Sequence, residues 1–338
     1  MITKKYILGA FCGAFCAAVG LSSCNSVLND ESSNVMMQLN TANSGDSSAS
    51  TKALTRAAQS YPGKLLFWQS GKSLGSYYAT DIDNLDGYNS NTAGTNKFNT
   101  GYPYPSDRSM VQVAGYSPLT GVTPSGDYKT LSVTSNIGLV DVLTSRTPLS
   151  GSSDNEFSGD LIFDHTLTKV TFKARFDYTM YKIRQVQNIR VVIPSSYLPT
   201  AWSWSDTAQK YEVSASSTTD NLTLQYPTAL AAQDTEYEIG TCYLNLPAGN
   251  VGKLTPINLI CDLYKFDDAA VFTPNKTYSN MEIQLKNTDG TNVTTAVAGE
   301  AYEVVFTFSN DTWTLTAIKK PWQKGGLITI PVDPSGNK

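Results

Sequence analysis

The sequence predicts an all-β protein long enough for two domains, and three observations carry the all-β expectation. Apolar residues recur at every second position in short runs, and Gly, Pro, Asn and Asp divide those runs. No stretch shows a helical period sustained over ten residues. Charged residues make up only 16% of the chain while Tyr, Thr, Ser, Asn and Gly abound, a composition that suits sheets exposed outside the cytoplasm. The 338 residues are enough for two hydrophobic cores, and a formal net charge of -4 argues against a nucleic-acid partner.

Taken in order, the chain opens with an export signal. Lys4 and Lys5 precede an apolar segment from Tyr6 to Leu21, and small residues close it at Leu21-Ser22-Ser23-Cys24. The segment is shorter than the ~20 residues that cross a bilayer as a helix. Cys24 directly after Leu-Ser-Ser resembles the lipobox of bacterial lipoproteins. That resemblance implies removal of residues 1–23, diacylation of Cys24 and attachment to the outer membrane.

A propeptide follows over residues 24–56. Val35, Met37 and Leu39 alternate with Met36 and Gln38, the pattern of a strand with one buried face. Asn40 to Lys52 is rich in Ser, Thr, Asn and Ala, with little to bury, so an exposed linker is expected there. Arg56, followed by Ala57, ends the linker, and no other arginine occurs before Arg108. An arginine-specific protease would find one accessible site at the Arg56–Ala57 bond, unless Arg56 is an ordinary linker charge.

The body is expected as a first domain over 57–178 and a second over 179–338. Lys64 to Trp68, Met110 to Pro118 and Leu139 to Thr144 read as strands of the first domain. Leu161, Phe163 and Leu167 occupy odd positions, whereas Val170, Phe172, Ala174 and Phe176 occupy even ones. One face cannot hold both sets, which predicts a bulge or kink near Thr168. The second domain reads as short strands from Ile189 to Ile318. Cys242 and Cys261 fall on two of them, with Pro247 to Lys253 between as an apparent hairpin turn. Facing sulfurs in that register fit either two buried thiols or a disulfide.

Several strings along the body resemble the recurrent landmarks of fimbrillin-like proteins, the type V pilus subunits of Bacteroidetes. They are Val113 to Pro118, Val140 to Leu143, Phe163 to Val170, Ala298 to Tyr302 and Pro321-Trp322. The resemblance implies two transthyretin-like β-sandwich domains and export as a lipoprotein. It further implies cleavage after an arginine that removes the first strand, and entry of a neighbouring subunit's C-terminal strand into the vacated groove. Arg56 and the strand at Val35 to Leu39 occupy the matching positions. At the C-terminus, Leu327 to Val332 places Ile328, Ile330 and Val332 on one face, repeating the three-residue stripe of Val35, Met37 and Leu39. It reads either as a donor strand for another copy or as the last strand of its own domain.

Enzymatic chemistry finds no support. His165 is the only histidine and sits among strand residues, so a buried structural role is expected. Zinc-spaced Cys/His clusters and Gly-rich phosphate loops are both missing, so no metal or cofactor is implied. Asp81 to Gly87 lacks the spacing of a calcium loop and reads as a polar turn. Trp202 and Trp204 share one side of a strand, either packed in the core or exposed as a sugar-stacking platform. The expected partners are other pilus subunits, the membrane through Cys24, an arginine-specific protease and a host or bacterial surface ligand. The alternatives are a surface lipoprotein that binds a glycan or host ligand without polymerising, and an uncleaved pilus anchor.

Overall fold

The computed structural model describes residues 35–43, 61–85, 97–176, 183–230, 235–246, 249–266, 270–309 and 312–320. Among them the regular structure is almost wholly strand, with one short 3-10 turn at Ser195–Tyr197.

The first half supplies β1 (Met36–Asn43), β2 (Gly63–Gln69), β3 (Tyr78–Ile82), β4 (Phe98–Pro103), β5 (Val111–Ser117), β6 (Thr123–Pro124), β7 (Thr130–Ser132), β8 (Leu143–Ser145), β9 (Leu149–Gly151) and β10 (Asp160–His165). Eight of these make one sheet in the order β3-β2-β5-β8-β10-β1-β4, with β9 alongside β5. Its central strands read as continuous apolar runs because both of their faces are covered. Leu65 and Phe67 of β2 and Val111 and Val113 of β5 enter one core with Met37, Leu39 and Phe163. Leu66, Trp68, Ala114 and Tyr116, from the intervening positions, enter a second core on the other face. β2 and β5 approach closely at Gly115, where a Cβ would stand 2.5 Å from the Lys64 carbonyl oxygen. Only glycine fits there.

The second half supplies β11 (Thr168–Phe176), β12 (Ile183–Ile193), β13 (Pro199–Ser205), β14 (Lys210–Ser216), β15 (Leu222–Tyr226), β16 (Tyr237–Leu244), β17 (Lys253–Phe266), β18 (Ala270–Gln284), β19 (Ala301–Ser309) and β20 (Thr312–Lys320). One sheet runs β16-β11-β19-β20 and another β15-β12-β17-β18. Val170, Phe172 and Phe306 of the first share a core with Val191, Leu259 and Ile283 of the second. The rings of Phe172 and Phe306 lie nearly parallel, at 9°, with centroids 6.2 Å apart. Bulges on both sides of β17 are pinned by Asp262, which accepts hydrogen bonds from Asn188 Nδ2 (2.6 Å) and the Asn275 N–H (2.8 Å). Both asparagines adopt positive φ, 51° and 48°, a conformation that asparagine tolerates better than most residues.

A fourth sheet, β14-β13-β7-β6, combines strands from both halves, and its Leu131, Trp202 and Tyr211 help form the second core. This long-range pairing of Trp202 with Leu131 has no local signature in the sequence.

Three expectations need correction. The phase change between Phe163 and Val170 is not a bulge in one strand. β10 ends at His165, and after two residues β11 continues in a different sheet, pairing with β16 and β19. β11 therefore joins the second-half core although it precedes residue 178. The strand expected at Leu139 to Thr144 is confined to Leu143–Ser145, because the positive-φ residues Asn136 and Gly138 turn the chain just before it. Asn40 to Asn43, expected in the linker, belong instead to β1, where Thr41 is fully buried, and the rest of that expected linker lies outside the described residues.

Candidate functional site

β1 lies within its sheet between two other strands. It runs parallel to β10 from Asn40–Asp160 to Asn43–Phe163, and antiparallel to β4 from Met36–Pro103 to Leu39–Phe98. The Tyr104 N–H donates to the Val35 carbonyl at 2.9 Å and extends the contact. Met37, Leu39 and Thr41 point into the core, while Gln38 is exposed. Val35 packs partly buried against the same cluster. Burying Met37 and Leu39 stabilises the sheet by roughly 1.5–3 kcal/mol each. The stripe holds one exception to apolar packing: the Thr41 hydroxyl is buried with no hydrogen-bond partner among the described residues.

β4 has β1 as its ladder partner in the sheet and is held on its far side by tyrosines. Tyr77 Oη donates to the Pro103 carbonyl at 2.8 Å, and Tyr78 Oη to the Thr100 carbonyl at 3.3 Å. The Tyr78 and Tyr102 rings stack with centroids 3.4 Å apart. Tyr104 Oη accepts the buried Phe157 N–H at 2.8 Å. The sheet thus curls until its two edge strands, β3 and β4, meet through side chains. None of these tyrosine contacts uses β1. β4 also satisfies part of its own backbone: Asn99 Oδ1 accepts the Gly101 N–H at 3.0 Å, and Thr100 Oγ1 accepts the Tyr102 N–H at 3.1 Å. Gly101 has φ of 74°, and the β1–β4 register shifts between Met36 and Gln38. Chemically, this arrangement is a slot for one extended strand, with alternating apolar pockets and with backbone partners on β4 along its first half and on β10 along its second.

The other residues singled out by sequence are dispersed. Cys24, Arg56, Ala57, Ile328, Ile330 and Val332 lie outside the described residues. Cys242 and Cys261 do not sit on paired neighbours. β16 and β17 belong to opposing sheets, so the short segment between them crosses from one sheet to the other and forms no hairpin. Both thiols are free and buried. Burial pushes the Cys242 thiol far up; Cys261 is pushed up to about 12 by burial, then by the Asp262 charge, with Lys276 opposing.

Trp202 and Trp204 do not form an exposed platform. Trp202 is fully buried and its Nε1 donates to Thr166 Oγ1 at 2.9 Å. Trp204 is 9% exposed and meets Trp68 and Tyr211 edge to face. It borders a cleft of about 490 Å³ together with Trp68, Lys129 and Asp206. Buried His165 places Nδ1 2.9 Å from Asp141 Oδ2 and meets the Tyr61 ring edge to face. A carboxylate only accepts, so Nδ1 carries the proton and the pair links the end of β10 to the segment before β8.

Sequence reasoning missed β4 and its tyrosines as one wall of the slot, and Thr41 as a third core position. A Tyr- and Gly-rich composition was the only local sign of the former. Continuing the two-residue period one step past Leu39 finds the latter.

Comparison with solved structures finds matches at low identity. A fimbrial protein from Bacteroides vulgatus matches with a TM-score of 0.48 and 13% identity, covering 85% of this chain and 99% of the other. A protein from Bacteroides uniformis given a provisional cell-adhesion role matches at 0.46 and 13%, covering 86% and 98%. One from Bacteroides thetaiotaomicron given a provisional polysaccharide-binding role matches at 0.49 and 10%, covering 85% and 96%. A comparison with curated proteins finds no match. The fimbrillin-like family model matches residues 55–322, most of the sequence and all strands from β2 to β20. The chain belongs to the fimbrillin-like family.

Proposed function

We propose that this protein is a non-enzymatic pilus subunit, exported as a lipoprotein through Cys24 and polymerised by strand exchange. Cleavage after Arg56 severs β1 from the body; a second copy's Leu327–Val332 then takes its place, with Ile328, Ile330 and Val332 in the core-facing positions. The body works as two β-sandwich domains, and the finished polymer stands on the cell surface, where it serves adhesion.

One observation carries this reading: β1, the strand upstream of Arg56, fills an interior place in its sheet with Met37 and Leu39 fully buried. Losing such a strand exposes two rows of backbone donors and acceptors and an apolar trough. That state is relieved by another strand of the same apolar period. The tyrosine contacts between β3 and β4 support the reading further, because they leave the far wall of the slot anchored once β1 departs.

The test is to treat purified precursor with an arginine-specific protease and run the products on non-boiled gels. A ladder of multimers that is missing in Arg56→Ala supports polymerisation by cleavage. Single bands in both proteins contradict it and leave the uncleaved-anchor or ligand-binding alternatives.

A further inference from the structure

Resting on the strand-exchange reading above, we infer that Thr41 is the residue that makes β1 replaceable: it lowers the affinity of the resident strand at one core position, which the incoming strand fills with an aliphatic side chain.

Thr41 is fully buried on the face of Met37 and Leu39, and its hydroxyl has no hydrogen-bond partner among the described residues. It lies opposite Leu161 of β10, whose side chain is also fully buried. A hydroxyl taken out of water with no acceptor or donor in return opposes burial of the strand that carries it. Thr41 lies in the half of β1 that pairs with β10, beyond the end of the β1–β4 ladder at Leu39–Phe98.

The β4 side is weak by a separate, independent feature. The Gly101 and Tyr102 N–H groups bond to Asn99 and Thr100 side chains, and the ladder shifts register beside them. When β1 leaves, those two donors are already satisfied, so vacating this part of the slot exposes less unpaired backbone than a regular ladder would.

The chain carries a better-matched stripe at its C-terminus. Set on the three fully buried positions of β1, and so shifted by two residues from the stripe that begins at partly buried Val35, Ile328 takes the position of Met37, Ile330 that of Leu39 and Val332 that of Thr41. Thr329 then falls at the exposed Gln38 position. Val332 has nearly the shape of threonine without the hydroxyl, so it fills the same space and removes the unpaired group. The slot therefore selects strands whose third core residue is aliphatic, and exchange runs from the threonine-bearing strand to the valine-bearing one.

Thr41→Val tests this in the full-length protein. Before cleavage, the variant melts higher than wild type by roughly 2–4 °C. After arginine-specific cleavage, release of the 24–56 fragment and growth of multimers slow by roughly tenfold. In a third arm, a synthetic peptide of residues 327–338 added to cleaved wild-type protein caps multimer growth. The same peptide with Val332→Thr needs roughly tenfold more to do so. Unchanged or lowered melting of Thr41→Val overturns the inference, as does multimer growth at the wild-type rate. A wild-type protein that is cleaved and forms no multimers overturns the strand-exchange reading itself, and this inference with it. That outcome is distinct from a Thr41→Val variant that polymerises normally.

Discussion

Leu39→Ala separates the two lives of β1. Leu39 is 1% exposed and packs in the core of the eight-stranded sheet with Met37, Leu65 and Phe163. Truncating a buried leucine removes its transfer free energy and leaves a cavity, a loss of about 2–5 kcal/mol. At about 2 °C per kcal/mol for a body of this size, a loss near 3 kcal/mol lowers the melting temperature of the uncleaved protein by about 6 °C. Gln38→Ala, one residue away and exposed, shifts melting by less than about 1 °C. If β1 is discarded during assembly, multimers made from Leu39→Ala precursor no longer contain residue 39, and they resist heat and detergent as the wild-type multimers do. Differential scanning calorimetry of the precursor, paired with temperature-stepped gels of the multimer, reads both effects. An unchanged precursor melting temperature would refute the burial of β1. A multimer weakened as much as the precursor would show that β1 stays in place.

Three further outcomes follow from the same structure. Tyr104→Phe strands the buried Phe157 N–H and lowers stability by about 1–3 kcal/mol in chemical denaturation, whereas a loss indistinguishable from zero would mean that bond is dispensable. Neither Cys242 nor Cys261 reacts with an aromatic disulfide reagent at pH 8 in the folded protein, and both react after unfolding, because burial holds the two thiols protonated. Hydrogen bonds from the Asn275 N–H and the Asn188 amide hold the Asp262 carboxyl below its ordinary value. Its stabilisation is therefore complete at neutral pH and is lost as pH falls below about 4 toward the folded value. Asp262→Asn is less stable than wild type at pH 7, and the gap narrows in acid; a gap that stays constant from pH 7 to pH 3 contradicts the assignment.

Local periodicity revealed which residues face inward, but not always which sheet receives them. Met37 and Leu39 were legible because a half-buried strand leaves an alternating trace even in eight residues. The odd-to-even switch between Phe163 and Val170 was equally visible. A face reversal looks the same, however, whether the chain bulges within one sheet or crosses to another. The segment between Cys242 and Cys261 posed the same ambiguity, since a short turn-rich connection suits a hairpin or a sheet-to-sheet crossing, and only the pairings of β16 with β11 and β17 with β12 separate the two. The wall formed by β4 was hidden for a different reason. Asn99, Thr100 and Gly101 satisfy part of their own backbone, so this strand lacks the apolar alternation of a fully laddered one. Pairing of β7 with β13 joins residues some seventy positions apart and left no sequence trace at all.

The most direct test places a photo-crosslinking side chain at Ile330 and mixes isotopically light and heavy copies before arginine-specific cleavage. If strand exchange builds the polymer, irradiation joins residue 330 of one copy to β4 or β10 of a copy with the other label, and residues 24–56 are missing from the multimer. Cross-links confined to single copies, or multimers that retain Met37 and Leu39, would contradict it.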